Sequence, residues 1–109
     1  MDNNTICSIS TAPGHGAISI IRISGKESIK IANELFKAHN KNKLSIKNIN
    51  KVVLGNIIYK HQTIDEVLVT AFKSPKSYTG EDMVEISCHG SAYIQSKIIQ
   101  ALIDNGCRT

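Results

Sequence analysis

Residues 77–90 constrain this chain more than any other stretch. Ser77-Tyr78-Thr79-Gly80-Glu81-Asp82 is a polar turn with glycine at its bend, and it runs directly into the β-type run Met83-Val84-Glu85-Ile86-Ser87-Cys88 before His89-Gly90 stops it. Polar groups therefore gather at both ends of one strand, where a site would sit. Period-two alternation places Val84, Ile86 and Cys88 on one face and Met83, Glu85 and Ser87 on the other. Glu85 is the odd residue. A carboxylate flanked by Met83, Val84 and Ile86 must reach solvent or find a partner, because an unpaired buried charge is costly.

A second β-rich run, Ala17-Ile18-Ser19-Ile20-Ile21-Arg22-Ile23, is apolar on both faces and is expected to be a central strand covered from two sides. Arg22 interrupts it, and two readings stay open. Its guanidinium either pairs with an acid on a neighbouring strand, Glu85 being the obvious candidate, or holds a carboxylate or another planar acceptor of a ligand. Before this run, residues 5–11 form a weaker strand that ends in the turn Ala12-Pro13-Gly14-His15-Gly16. Ser24-Gly25-Lys26-Glu27 matches a capping box, so a helix should start there, carry Ile29, Ala32, Leu35 and Phe36 on one stripe, and end near Ala38.

Residues 39–50 are rich in Asn and Lys and read as a variable loop with room for a short strand. Two further β-type runs, 52–59 and 65–72, are joined by 60–64 as a hairpin. A last helix places Ile94, Ile98, Ala101 and Leu102 at helical spacing and stops at Asn105-Gly106. The expected order is ββαβββα. This is an α+β fold, with one mixed or antiparallel sheet of about five strands packed against two helices.

At 109 residues, with 41% hydrophobic and 20% charged residues, the chain suits one soluble domain. No apolar run approaches the roughly 20 residues that span a bilayer, and the start lacks the pattern of a secretory signal. No membrane partner is expected, and a cytoplasmic location is the default. Cys7, Cys88 and Cys107 show no paired spacing, so free buried thiols are expected in place of a disulfide framework or a zinc site. Cys88 and His89 point to opposite faces of a strand, a poor start for a shared metal. No nucleophile and base arrangement supports hydrolysis, and Gly25-Lys26 lacks the flanking residues of a phosphate loop. Much of the net charge of +4 lies in Lys37, Lys41, Lys43, Lys47 and Lys51. That stretch is either a solvated loop or a face for an anionic partner such as nucleic acid.

Several stretches taken together resemble the amino-terminal domain of the MnmE/TrmE family of tRNA-modification GTPases. They are Thr5-Ile6, Ala12-Pro13-Gly14-His15-Gly16, Ile21-Arg22-Ile23-Ser24-Gly25, Asp65-Glu66-Val67-Leu68-Val69, Pro75-Lys76-Ser77-Tyr78-Thr79-Gly80-Glu81-Asp82 and Val84-Glu85-Ile86-Ser87-Cys88-His89-Gly90. The resemblance covers essentially the whole chain in order. Three positions depart from the family pattern: His15 and Ala17 in the first turn, and Ser91 after Cys88-His89-Gly90. Histidine keeps a polar ring but no permanent charge, which puts any anion contact at His15 in doubt.

The resemblance implies a fold like the folate-binding domain of aminomethyltransferases, a homodimer formed through this domain, and 5-formyltetrahydrofolate as its cofactor. It carries over Arg22 and Glu85 as folate contacts and assigns neither a catalytic role. It also implies a flavoprotein partner, MnmG/GidA, with which the complete enzyme adds an aminomethyl-type group to the wobble uridine of tRNA. GTP, magnesium and potassium would belong to a GTPase domain beyond these residues, so the chain is expected to be the amino-terminal part, 1–109, of a longer protein. The alternatives are a purely structural dimerisation module without ligand, and a basic tRNA-binding module acting through residues 41–51.

Overall fold

A sheet with one apolar face needs one covering layer, and two amphipathic helices supply it here. The computed structural model describes residues 4–10 and 17–109, with Ile46 given by its backbone alone. The elements are β1 (Thr5–Ile9), β2 (Ile18–Ser24), α1 (Ser28–Leu35), β3 (Phe36–Ala38), a single 3-10 turn (Ile46–Asn48), β4 (Val52–Tyr59), β5 (Gln62–Phe72), β6 (Met83–His89), α2 (Ala92–Asp104) and β7 (Cys107–Arg108). They form one sheet in the order β3-β4-β5-β6-β2-β1-β7. Every pairing is antiparallel except β1 with β7, which is parallel.

The fold is α+β as expected, but the sheet has seven strands, not about five. The two additions, β3 and β7, are edge strands of three and two residues, too short to show an alternating pattern. The turn at residues 11–16, including His15, lies outside the described residues.

The core lies between the sheet and the helices. Ile21, Ile23, Ile57, Val67, Val69, Val84 and Ile86 from the strands pack with Ile31, Leu35, Ile98, Ala101 and Leu102 from α1 and α2. The alternation in β6 is as read from Val84 onward: Val84, Ile86 and Cys88 join this core, while Glu85 and Ser87 are half-buried; Met83, expected on the face of Glu85, is itself buried at the start of the strand. β2 differs from expectation. Ile18 is exposed at its first position and Ile20, Arg22 and Ser24 on the same face are half-buried, so the strand is central but only partly covered on its second side.

Two helix boundaries also move. The capping box does not form: α1 starts at Ser28 without a side-chain cap, because the Ser24 hydroxyl bonds Thr79 and Glu81 across the sheet instead. The Glu27 amide donates to the Thr5 hydroxyl at 3.1 Å, which replaces the missing cap from a neighbouring strand. At the other end the helix stops at Leu35, since Phe36 becomes extended, pairs with Ile57 as the first residue of β3 and stays buried in the core. α2 follows the sequence closely, capped by the Ser91 hydroxyl at 3.3 Å and closed by Gly106 with φ of 110°.

The hairpin between β4 and β5 is tighter than expected. Its loop is only Lys60-His61, with both residues at positive φ, and a bulge near Ile58 absorbs the extra residue of β5.

Candidate functional site

The face of the sheet turned away from the helices carries the polar residues singled out in the sequence. Register places Arg22 of β2 directly opposite Glu85 of β6, with Ser8 of β1 beyond Arg22 and Thr70 of β5 beyond Glu85. The row crosses four strands. Arg22 Nε donates to Glu85 Oε2 at 2.7 Å, and the two side chains keep 29% and 25% of their surface exposed. That distance is typical of a charge-assisted hydrogen bond, and the partial exposure keeps both groups within reach of a ligand.

A third group completes the arrangement. The Arg22 guanidinium lies 4.5 Å from the centre of the Tyr78 ring, close enough for a cation–π contact. In the sequence Tyr78 sits inside the polar turn with no role of its own; an exposed aromatic in such a turn is the signal that points to it.

The turn itself is tied down from several sides. Asp82 accepts from the Ser74 amide at 2.9 Å and from Lys73 Nζ at 3.0 Å, while its carbonyl accepts from the Gly25 amide at 2.9 Å. The Ser77 hydroxyl donates to the Glu81 carbonyl, and Gly80 bends the chain at φ of 82°. Burial pushes the Asp82 carboxyl up, but the Ser74 amide and the Lys73 ammonium outweigh it, so the group titrates below the ordinary aspartate range. Gly25 sits where a side chain has no room, since a Cβ there would meet Thr5 Cα at 2.8 Å. The glycine of Ile23-Ser24-Gly25 thus lets β1 approach the turn that leads into α1.

A second polar pair marks the far end of β6. The β5–β6 ladder ends at Leu68 and Ser87, and beyond it the Asp65 carboxylate accepts from the His89 amide at 2.8 Å and meets the His89 ring Nδ1 at 2.7 Å. One side chain therefore holds both the backbone and the ring of His89. Cys88 beside it is buried, and burial followed by the nearby Asp65 charge pushes its thiol up to about 11. Cys7 and Cys107 are buried neighbours on β1 and β7; hydrogen bonding between them lowers the first thiol and raises the second. All three cysteines are free. Among the described residues no three His, Cys, Asp or Glu side chains converge as a metal set, and no helix is long and apolar enough to cross a membrane.

The open face also exposes apolar side chains. Ile18, Val52, Leu54 and Leu68 keep from 45% to 66% of their surface in solvent, and Ile18, Leu54 and Leu68 line a shallow depression beside His89.

Comparison with known proteins gives the chain a family. A family model described as "GTP-binding protein TrmE N-terminus" matches residues 5–109. The chain is 50% identical over 107 residues to a protein of Christiangramia forsetii named "tRNA modification GTPase MnmE", covering 98% of this chain and 23% of that protein. Proteins of the same name from Flavobacterium johnsoniae and Clostridioides difficile are 48% and 42% identical over 108 and 106 residues, covering 99% and 97% of the chain. In each case the chain spans 23% of the length of the curated relative it matches. With a family match that begins at β1 and runs through β7, the chain belongs to the TrmE amino-terminal family.

Proposed function

We propose that this chain is the folate-binding and dimerising amino-terminal domain of a tRNA-modification GTPase, with a fold akin to the folate-binding domain of aminomethyltransferases. The observation that carries the reading is the Arg22–Glu85 pair, held on the open face under the Tyr78 ring. The donor set suits a reduced folate. Glu85 offers a carboxylate to the paired donors of an aminopyrimidine edge, and Arg22 offers a guanidinium to a pterin acceptor or to the glutamyl carboxylate. When bound, 5-formyltetrahydrofolate would supply a one-carbon unit. These residues would bind and orient it, and neither is assigned a proton transfer or a nucleophilic step.

The exposed Ile18, Val52, Leu54 and Leu68 lie on the same face, which supports a homodimer that covers part of it. GTP, magnesium and potassium are assigned to the part of the relatives beyond this span. So is the joint work with MnmG/GidA on the wobble uridine of tRNA in the cytoplasm. A second reading has one observation in its favour. At 2.7 Å, Arg22 and Glu85 satisfy one another, as they would in a purely structural dimerisation module.

Calorimetric titration of 5-formyltetrahydrofolate into the full-length protein, beside its Arg22→Ala variant, separates the two. We expect saturable binding that is lost in the variant while the thermal unfolding midpoint stays within a few degrees. Absence of binding heat in both proteins would leave the pair as internal scaffolding and reject the folate assignment.

A further inference from the structure

The 30 residues from Leu35 to Ile64 contain six lysines and no Asp or Glu. Since the whole chain has 13 basic and nine acidic residues, the remainder is net negative, and the positive charge belongs to this one stretch. Its position in the fold concentrates the charge further. Lys43, Lys47 and Lys51 line one concavity of ≈ 490 Å³ together with Asn40, Asn42 and Ser45, and no acid contributes to its wall. Among the described residues, none of these three lysines forms an ion pair.

The segment is a built scaffold. Leu44 is buried in the core as an anchor. The Asn33 side chain of α1 clamps it by donating to the Leu44 carbonyl at 2.9 Å and accepting from the Leu44 amide at 3.0 Å. Asn48 donates to the Lys43 carbonyl at 3.0 Å and accepts from the Ser45 amide at 2.8 Å. The Asn50 amide bonds the Ala71 carbonyl of β5 at 2.8 Å, which fixes the return to the sheet. A loop ordered before binding avoids much of the ordering cost that a flexible lysine tract would incur.

We infer that this concavity is a binding site for the phosphodiester backbone of RNA, with Lys43, Lys47 and Lys51 as phosphate contacts. Lysine ammonium groups bind phosphate as point charges, and the asparagine amides beside them add neutral donors to phosphate or ribose oxygens. Several cations spread over an open concavity suit a repeating polyanion better than one small anion, because each neutralised phosphate adds its own counterion release. The site lies on the loop that leaves β3 and returns to β4, apart from the row holding Arg22 and Glu85. The identity of the RNA as tRNA rests on the proposed function above.

The test is fluorescence anisotropy of a labelled tRNA with the full-length protein between about 50 and 200 mM salt, the range over which phosphate contacts declare themselves. The wild type is compared with the triple variant Lys43→Gln, Lys47→Gln, Lys51→Gln and with a charge-matched control, Lys26→Gln, Lys30→Gln, Lys97→Gln. The expected result is a salt slope reduced by about two in the first variant, from roughly 0.7–0.9 per lost contact, and an affinity roughly tenfold weaker at the low end. The control keeps the wild-type slope, and Lys→Arg at the three sites restores affinity. An unchanged slope, an equal loss in the control, or absence of tRNA binding by the wild type overturns the inference. So does loss of binding to phosphatidylglycerol vesicles with tRNA affinity intact, which would reassign the loop to a membrane surface. Titrating 5-formyltetrahydrofolate into the same triple variant keeps the two proposals apart, because folate binding should survive there whatever happens to the RNA.

Discussion

The two faces of the sheet are made by the same strands, yet they obey different rules. On the helix side, Ile21, Ile23, Val69, Val84 and Ile86 interlock with Ile98 and Leu102, and every position is decided by volume. On the open side, Arg22, Ser24, Glu85, Ser87 and Leu68 are partly or fully accessible, with Met83 opposite Ser24 as a buried exception at the start of β6. The contrast separates stability from recognition within one element. A change on the first face should act on folding, whereas a change on the second should act on what the domain binds.

The largest test of that division compares two leucines. Leu102→Ala should cost about 3 kcal/mol, since a fully buried side chain loses both transfer energy and packing. Leu68→Ala on the open face should cost under about 0.5 kcal/mol. Denaturant unfolding of both variants, at a protein concentration where the wild type is monomeric, measures each. Equal losses would mean that the open face is part of the folding core and that the division is wrong.

A smaller effect sharpens the comparison at the turn that carries Tyr78. Asp82 titrates below its ordinary range in the fold, so its clamp on Ser74 and Lys73 contributes above the unfolded pKa and is lost as pH falls through the folded value. Asp82→Asn should therefore be less stable than wild type by about 1 kcal/mol at neutral pH. The gap should close as the pH drops below the usual aspartate value of about 4. Parallel urea titrations across that interval would expose a gap independent of pH, in which case the carboxylate charge is not what holds the turn.

Much of this was legible from pattern. The alternation of residues 84–88 and the stripe of α2 with its stop at Asn105-Gly106 follow from local spacing, whereas sequence leaves Glu85 as one of two partners open to Arg22, and the register of β2 on β6 brings the two together. Several misses were decided by a distant part of the chain, and others by short or atypical local sequence. Ser24 and Glu27 had the pattern of a capping box, but Thr79, Glu81 and Thr5 offered better partners across the sheet. Phe36 continued a helical stripe in sequence, yet pairing with Ile57 drew it into β3. Lys60-His61 lacks the glycine or asparagine that announces a two-residue turn, so local sequence predicts a longer loop. At the site, the Arg22 and Glu85 register could be guessed from charge, whereas the stacking of Tyr78 required the turn to be folded back over β2.

The order of strands has a kinetic consequence. From β3 to β6, neighbours in the sheet are also neighbours in the chain, so each pairing closes a short loop at small entropic cost. The contact of β2 with β6 instead joins residues such as Arg22 and Glu85, 63 positions apart. The meander should assemble early and the β2–β6 seam late, a sequence that φ-values near unity in β6 and β2 with low values in the β4–β5 hairpin would contradict. If the seam closes last, the Arg22–Glu85 pair exists only in molecules whose two halves have joined, and competence to bind becomes a readout of completed folding.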